Sequence, residues 1–130
     1  MGAIKVLLAD DEEGILEIMA RKVAGQGYSV ITANDGQEAW EKIVSDNPDI
    51  IVMDITMPRM DGLTVLKKLR AQPPTAKWQP VILVSSLNEA NQIQKGLELK
   101  ADHYLTKPCS IEDIIKAIRL MVALIPLRNP

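Results

Sequence analysis

Apolar residues along the chain fall into two alternating kinds of run. Five are short and almost continuously apolar: Ile4 to Ala9, Tyr28 to Ala33, Asp49 to Met53, Val81 to Val84 and His103 to Thr106. Most are rich in β-branched residues, and continuous apolarity over so few positions marks strands covered on both faces. Between and after them, apolar positions recur at helical spacing. The stripes are Ile15, Ile18, Met19 and Val23, then Ala39, Trp40, Ile43 and Val44, then Val65, Leu66 and Leu69. Two more follow: Ala90, Ile93 and Leu97, and then Ile111, Ile114, Ile115, Ile118 and Val122. Helix-start signals agree, with Ser110 and Asp113 ahead of the last stripe and Asp61-Gly62 ahead of the third. Turn chemistry fills the gaps at Gly25 to Gly27, Asn34 to Gly36, Asn47-Pro48 and Gln72 to Pro74.

The resulting order is (βα)5. Right-handed crossovers then place helices on both faces of the sheet, which predicts an α/β fold: a doubly wound parallel sheet with the flavodoxin-like strand order 2-1-3-4-5. With 130 residues, 47% of them hydrophobic, one core is expected. The domain is expected over residues 1–124, with 125–130 a C-terminal tail or the start of a linker. A net charge of -2 gives no electrostatic reason for direct nucleic-acid or membrane binding. No apolar run approaches the roughly 20 residues needed to span a bilayer, and the first residues lack the basic and apolar regions of a secretory leader. A cytoplasmic protein is expected. The single cysteine, Cys109, excludes an intrachain disulfide and a multi-cysteine metal site.

In an open α/β sheet the ligand site lies beyond the carboxyl ends of the strands, where strand order reverses. There the first strand runs into Asp10-Asp11, the third into Asp54, the fourth into Ser85-Ser86 and the fifth into Lys107. Adjacent first and third strands bring three carboxylates together, and such a cluster repels itself unless a cation sits in it. A hard divalent ion such as Mg2+ meets that need, and the combination suits phosphoryl transfer to a carboxylate. Lys107 supplies a point charge for a phosphate and Ser85 a hydroxyl donor. Asp35 lies on the far side and reads as a turn residue in Asn34-Asp35-Gly36. Taken singly, Asp11 reads as readily as a helix cap, while Ser85 reads more readily as a turn or cap hydroxyl and Lys107 as a solvated lysine. Only their joint placement at strand ends speaks for a site.

Four motifs carry a resemblance over residues 3 to 123: Leu7-Leu8-Ala9-Asp10-Asp11-Glu12; Asp54-Ile55-Thr56-Met57-Pro58-Arg59-Met60-Asp61-Gly62; Val81-Ile82-Leu83-Val84-Ser85-Ser86; and Ala101-Asp102-His103-Tyr104-Leu105-Thr106-Lys107-Pro108. The chain resembles the receiver domains of bacterial two-component response regulators. The resemblance implies phosphorylation of Asp54 by a histidine kinase or histidine phosphotransfer protein. It implies Mg2+ bound by Asp11, Asp54 and the Thr56 carbonyl, with Asp10 acting through water. Ser85 would sense the phosphoryl group, Lys107 would pair with it, and Tyr104 would report the switch as its hydroxyl leaves solvent. Gly62 and Pro108 would be structural, with a cis bond before Pro108.

The implied output is a partner, an output domain or a second copy docking on the surface of the fourth helix, fifth strand and fifth helix. The resemblance implies a switch, not an enzyme. Cys109 stands where the family usually has Phe, Lys100 where it often has Gly, and His103 where it often has Asp. Ala117 replaces an Arg that one DNA-binding subfamily uses for dimerisation. Two rivals are weaker. An aspartate-nucleophile phosphatase needs a second Asp where Thr56 stands, and a receiver-like module never phosphorylated would not need every switch position filled.

Overall fold

A computed structural model gives the structure of residues 2–86, 94 and 98–129. The chain runs β1 (Lys5–Ala9), α1 (Glu13–Ala24), β2 (Ser29–Ala33), α2 (Gly36–Asp46), β3 (Ile50–Asp54), α3 (Gly62–Ala71), β4 (Val81–Ser86), β5 (His103–Lys107) and a C-terminal helix (Ile111–Arg128). The stripe Ala90, Ile93 and Leu97 lies outside the described residues. The strands form one sheet in the order β2-β1-β3-β4-β5, parallel at every pairing, as the sequence predicts.

Consecutive strand residues point to opposite faces, so each strand feeds two cores. Leu7, Ile51, Met53 and Leu83 pack with Leu66 of α3 and Ile43 of α2. Leu8, Val52 and Ile82 pack with Met19 of α1 and with Ile118 and Met121 of the C-terminal helix. Every residue of β3 is buried, which is why it reads as a continuous apolar run.

β3, β4 and β5 extend beyond their apolar runs, because backbone pairing continues whatever the side chain. Asp54 pairs with Val84, Ser85 with Thr106 and Ser86 with Lys107. The chemically active residues therefore stand on the last rungs of the ladder. Helix starts follow the expected chemistry. The Asp61 carboxylate accepts from Thr64 N, and Ser110 and Asp113 form a reciprocal capping box. Asp35, read from sequence as a turn residue, is the N-cap of α2 and accepts from Glu38 N. Asp11 is not the helix cap: the N-cap of α1 is Glu12, which makes no side-chain cap hydrogen bond.

The C-terminal helix continues past Ala123 and through Pro126 to Arg128. Its end is fastened to the far edge of the sheet. The Asn129 amide accepts from Trp78 N at 2.7 Å and donates to Trp78 O at 3.0 Å, while Arg128 lies 4.1 Å from the Trp78 ring centroid. Beneath them Asp102 accepts from Arg70 Nη2 at 2.7 Å, Val81 N at 2.8 Å and Trp78 Nε1 at 3.2 Å. Arg70 also donates to the carbonyls of Gln79 and Lys100.

Replacing Asp102 takes the anionic partner from the half-buried Arg70 guanidinium and the acceptor from the Val81 amide and Trp78 Nε1. Asp102→Ala should therefore cost about 3 kcal/mol in urea unfolding. Lys100 holds φ +67°, a left-handed conformation that disfavours any Cβ. Lys100→Gly should raise stability by roughly 1 kcal/mol in the same measurement, and a loss would show that the lysine side chain matters more than the backbone.

Candidate functional site

The site is built where β1, β3 and β5 end. Because β1 and β3 are neighbours, Asp10, Asp11 and Asp54 converge: each offers a carboxylate oxygen, and these lie within 4.8 Å of one another. Asp10 and Asp54 are buried, whereas Asp11 is exposed. One Asp10 oxygen accepts from Glu12 N at 2.9 Å, which fixes the turn into α1. Lys107 Nζ reaches Asp54 Oδ2 at 2.9 Å.

One lysine does not balance this cluster. Burial, joined by the charge of Asp10, outweighs Lys107 and pushes the Asp54 carboxyl up from 3.8 to about 7. Burial pulls the Lys107 ammonium down, but its hydrogen bond to Asp54 and the charges of Asp54, Asp10 and Glu12 leave its value raised. Three hard oxygen donors with excess negative charge, two of them withdrawn from water, match what a divalent cation requires. The acidic cluster fits a bound metal ion.

Gly62 holds the following helix against this strand end. A Cβ there would stand 2.3 Å from the Asp54 carbonyl oxygen, and Gly62 N donates to Ile55 O at 2.7 Å. Only glycine allows that approach. Thr56 is exposed and borders the same polar recess as Asp11, Glu12, Asp54, Ser86 and Lys107.

Ser85 is buried, and its hydroxyl has no hydrogen-bond partner among the described residues. Strand parity places it on the face of Val81 and Leu83, opposite Asp54. The serine bordering the recess is Ser86. Sequence reading passed over it, although the period of two supplied the signal: Asp54 pairs with Val84, so the residue two further on shares its face.

Tyr104 packs with Leu83 on the Ser85 side. Its hydroxyl is already enclosed and unpartnered among the described residues, and burial pushes its value up to about 12. In this structure that hydroxyl is already out of contact with solvent. The Lys107–Pro108 bond is cis, as expected. Burial, then Asp113, pushes the Cys109 thiol up, in keeping with a packing role. Cys109 lines an apolar cavity of about 480 Å3 beside Asp54, with Ile15 and Met19 of α1 and Ile111 and Ile114 of the C-terminal helix.

A doubly wound parallel sheet with an acidic triad and a lysine at its carboxyl edge is the architecture of a phosphoacceptor domain. The profile of the response regulator receiver domain matches residues 6–119, and the chain belongs to that family, which serves two-component signalling through phosphorylation of an aspartate. It is 40% identical over 117 residues to the alkaline phosphatase synthesis transcriptional regulatory protein PhoP of Bacillus subtilis, covering 88% of this chain and 48% of that protein. It is 35% identical over 119 residues to response regulator MprA of Mycolicibacterium vanbaalenii, covering 92% of this chain and 50% of that protein. The chain thus spans about half the length of these relatives.

Among solved structures, the Francisella response regulator 1452 receiver domain superposes with a TM-score of 0.82 at 38% identity, over 92% of this chain and 96% of that one. Chemotaxis response regulator CheY4 of Vibrio cholerae does so with a TM-score of 0.82 at 30% identity, over 93% and 99%. Among the described residues, no helix is long and apolar enough to cross a membrane.

The raised Asp54 value has a stability consequence with a definite sign. The folded state holds this proton more tightly than the unfolded chain, so the group's contribution is full below about pH 4 and is lost as pH rises through about 7. Without divalent ions, Asp54→Asn should therefore be more stable than the parent at neutral pH, by on the order of 1 to 3 kcal/mol, with the gap closing towards about pH 4. Urea melts across that range measure the gap; a pH-independent difference would contradict the assignment.

Proposed function

We propose that Asp54 is the phosphoacceptor of this receiver domain, taking the phosphoryl group from a sensor histidine kinase or a histidine phosphotransfer protein. The observation that carries the reading is the buried Asp54 carboxylate, clustered with Asp10 and Asp11 and in contact with Lys107. An Asp54 oxygen attacks phosphorus, the donor's P–N bond breaks, and the imidazole leaves with the bonding electrons and gains a proton from solvent. Asp11, Asp54 and the Thr56 carbonyl would hold Mg2+, with Asp10 acting through water. The chemistry an ion there would supply is neutralisation of charge on the transferring group.

Lys107 then exchanges its carboxylate partner for phosphoryl oxygens, and the Ser85 hydroxyl, which has no partner among the described residues, gains one. Movement of Ser85 towards the phosphate alters the packing of Tyr104 beside it. The change reaches the surface of β5 and the C-terminal helix, where an output domain, a protein partner or a second copy docks. The domain itself binds neither nucleic acid nor membrane, works in the cytoplasm, and acts as acceptor and switch with no substrate of its own to turn over. Ile15 of α1, 47% exposed and lining the same cavity as Asp54, gives the donor an apolar landing surface.

Incubation with a small acyl phosphate and Mg2+ should add one phosphoryl mass to the parent and none to Asp54→Asn. Equal modification of both would overturn the assignment. Ser85→Ala should still accept phosphate while losing most of the phosphorylation-dependent gain in partner affinity, a coupling of about 1 to 3 kcal/mol. An undiminished gain would send the signal by another route.

A further inference from the structure

The loop between β2 and α2 contributes no ligand to the acidic cluster, yet it touches both walls of it. Ahead of it, Ala33 O accepts from Asp10 N at 3.1 Å, and Asn34 Nδ2 donates to Glu13 Oε1 of α1 at 2.8 Å. On the other side Gly36 meets the loop that follows Asp54. A Cβ on Gly36 would lie 1.6 Å from Met60 O and 2.5 Å from Met60 C, so the obstruction is backbone and no side-chain rotation relieves it. Gly36 N also donates to Pro58 O at 3.4 Å, and that carbonyl accepts from Met60 N at 2.8 Å. Between them Arg59 is held at φ +68°, a conformation that bulky residues seldom adopt. Asp35 ties the two loops through one carboxylate: Oδ1 caps α2 through Glu38 N at 2.8 Å, and Oδ2 faces Arg59 Nε at 3.6 Å.

From this placement we infer that Asn34-Asp35-Gly36 is a brace that sets the spacing between the Asp10-Asp11 wall and the Thr56 loop, and that Gly36 and Arg59 are positioning residues for metal binding. The inference rests on the proposed Mg2+ site and adds to it a segment that carries no metal donor. A divalent ion with strict octahedral preference tolerates little change in the distance between its donors. Any shift of Met60 forced at Gly36 passes along the few residues back to Thr56.

The test measures Mg2+ affinity by NMR titration of the whole chain, for the parent and three variants, at a temperature where circular dichroism shows each to be folded. Gly36→Ala should weaken Mg2+ binding about tenfold and shift the amides of Ile55 to Gly62 before any metal is added. Arg59→Gly relieves the left-handed backbone, so it folds, and it deletes a positive charge. Charge alone would tighten Mg2+ binding, whereas loss of the brace weakens it. Ile118→Val, in the core away from the site, should lower the melting temperature and leave Mg2+ affinity unchanged. If Gly36→Ala does not fold, the direction of the Arg59→Gly change decides. A parent that binds no Mg2+ sinks the metal reading and this inference with it. A parent that binds, with folded Gly36→Ala and Arg59→Gly at parental affinity, sinks the inference alone.

Discussion

The structure depends on an unbalanced charge. Asp54 is withdrawn from water at the end of a strand buried on both faces, with Asp10 close by and, among the described residues, Lys107 as its one lysine contact. Burial of a carboxylate beside a like charge is unfavourable, and Lys107 only partly offsets it. What remains is a standing demand for positive charge at one point in the fold. A divalent cation would answer it, and on the proposed reading an arriving phosphoryl group would meet that cation and Lys107 together.

The sheet creates that situation. Parallel strands with helices on both faces hide every residue of β3, so the carboxylate on its last rung is buried by the same packing that stabilises the domain. Strand order 2-1-3-4-5 puts β1 beside β3, which is how residues 43 positions apart in sequence, Asp11 and Asp54, share a site. Close packing at Gly62 then holds the start of α3 against β3. The opposite edge is secured separately by the Asp102 network, which joins Arg70, Trp78 and Val81 and has Arg128 above it.

Much of this was legible because the determinants are local. Continuous apolar runs identify strands buried on both sides, and turn residues mark their ends. Asp10, Asp11, Asp54 and Lys107 stand where those runs stop. Less visible were features set by pairs distant in sequence. Asp102 looks like a loop residue until β4 and the C-terminal helix come to it. Gly36 looks like a turn glycine until Met60 is seen against it. Asp35 was read as a turn and serves as a helix cap. Ser86 was missed for a different reason, since only the register of β4 against β3 tells which of two adjacent serines faces the carboxylates. Helix continuation through Pro126 is likewise hidden, because proline usually ends a helix and here Asn129 and Trp78 hold the turn beyond it.

The charge imbalance at Asp54 is open to direct measurement. A carbon-13 NMR titration of the Asp54 carboxyl in metal-free protein should give a midpoint near 7, far above the ordinary 3.8, and added Mg2+ should drive it down. A midpoint at the ordinary value, unmoved by Mg2+, would contradict the central claim that this site is short of positive charge.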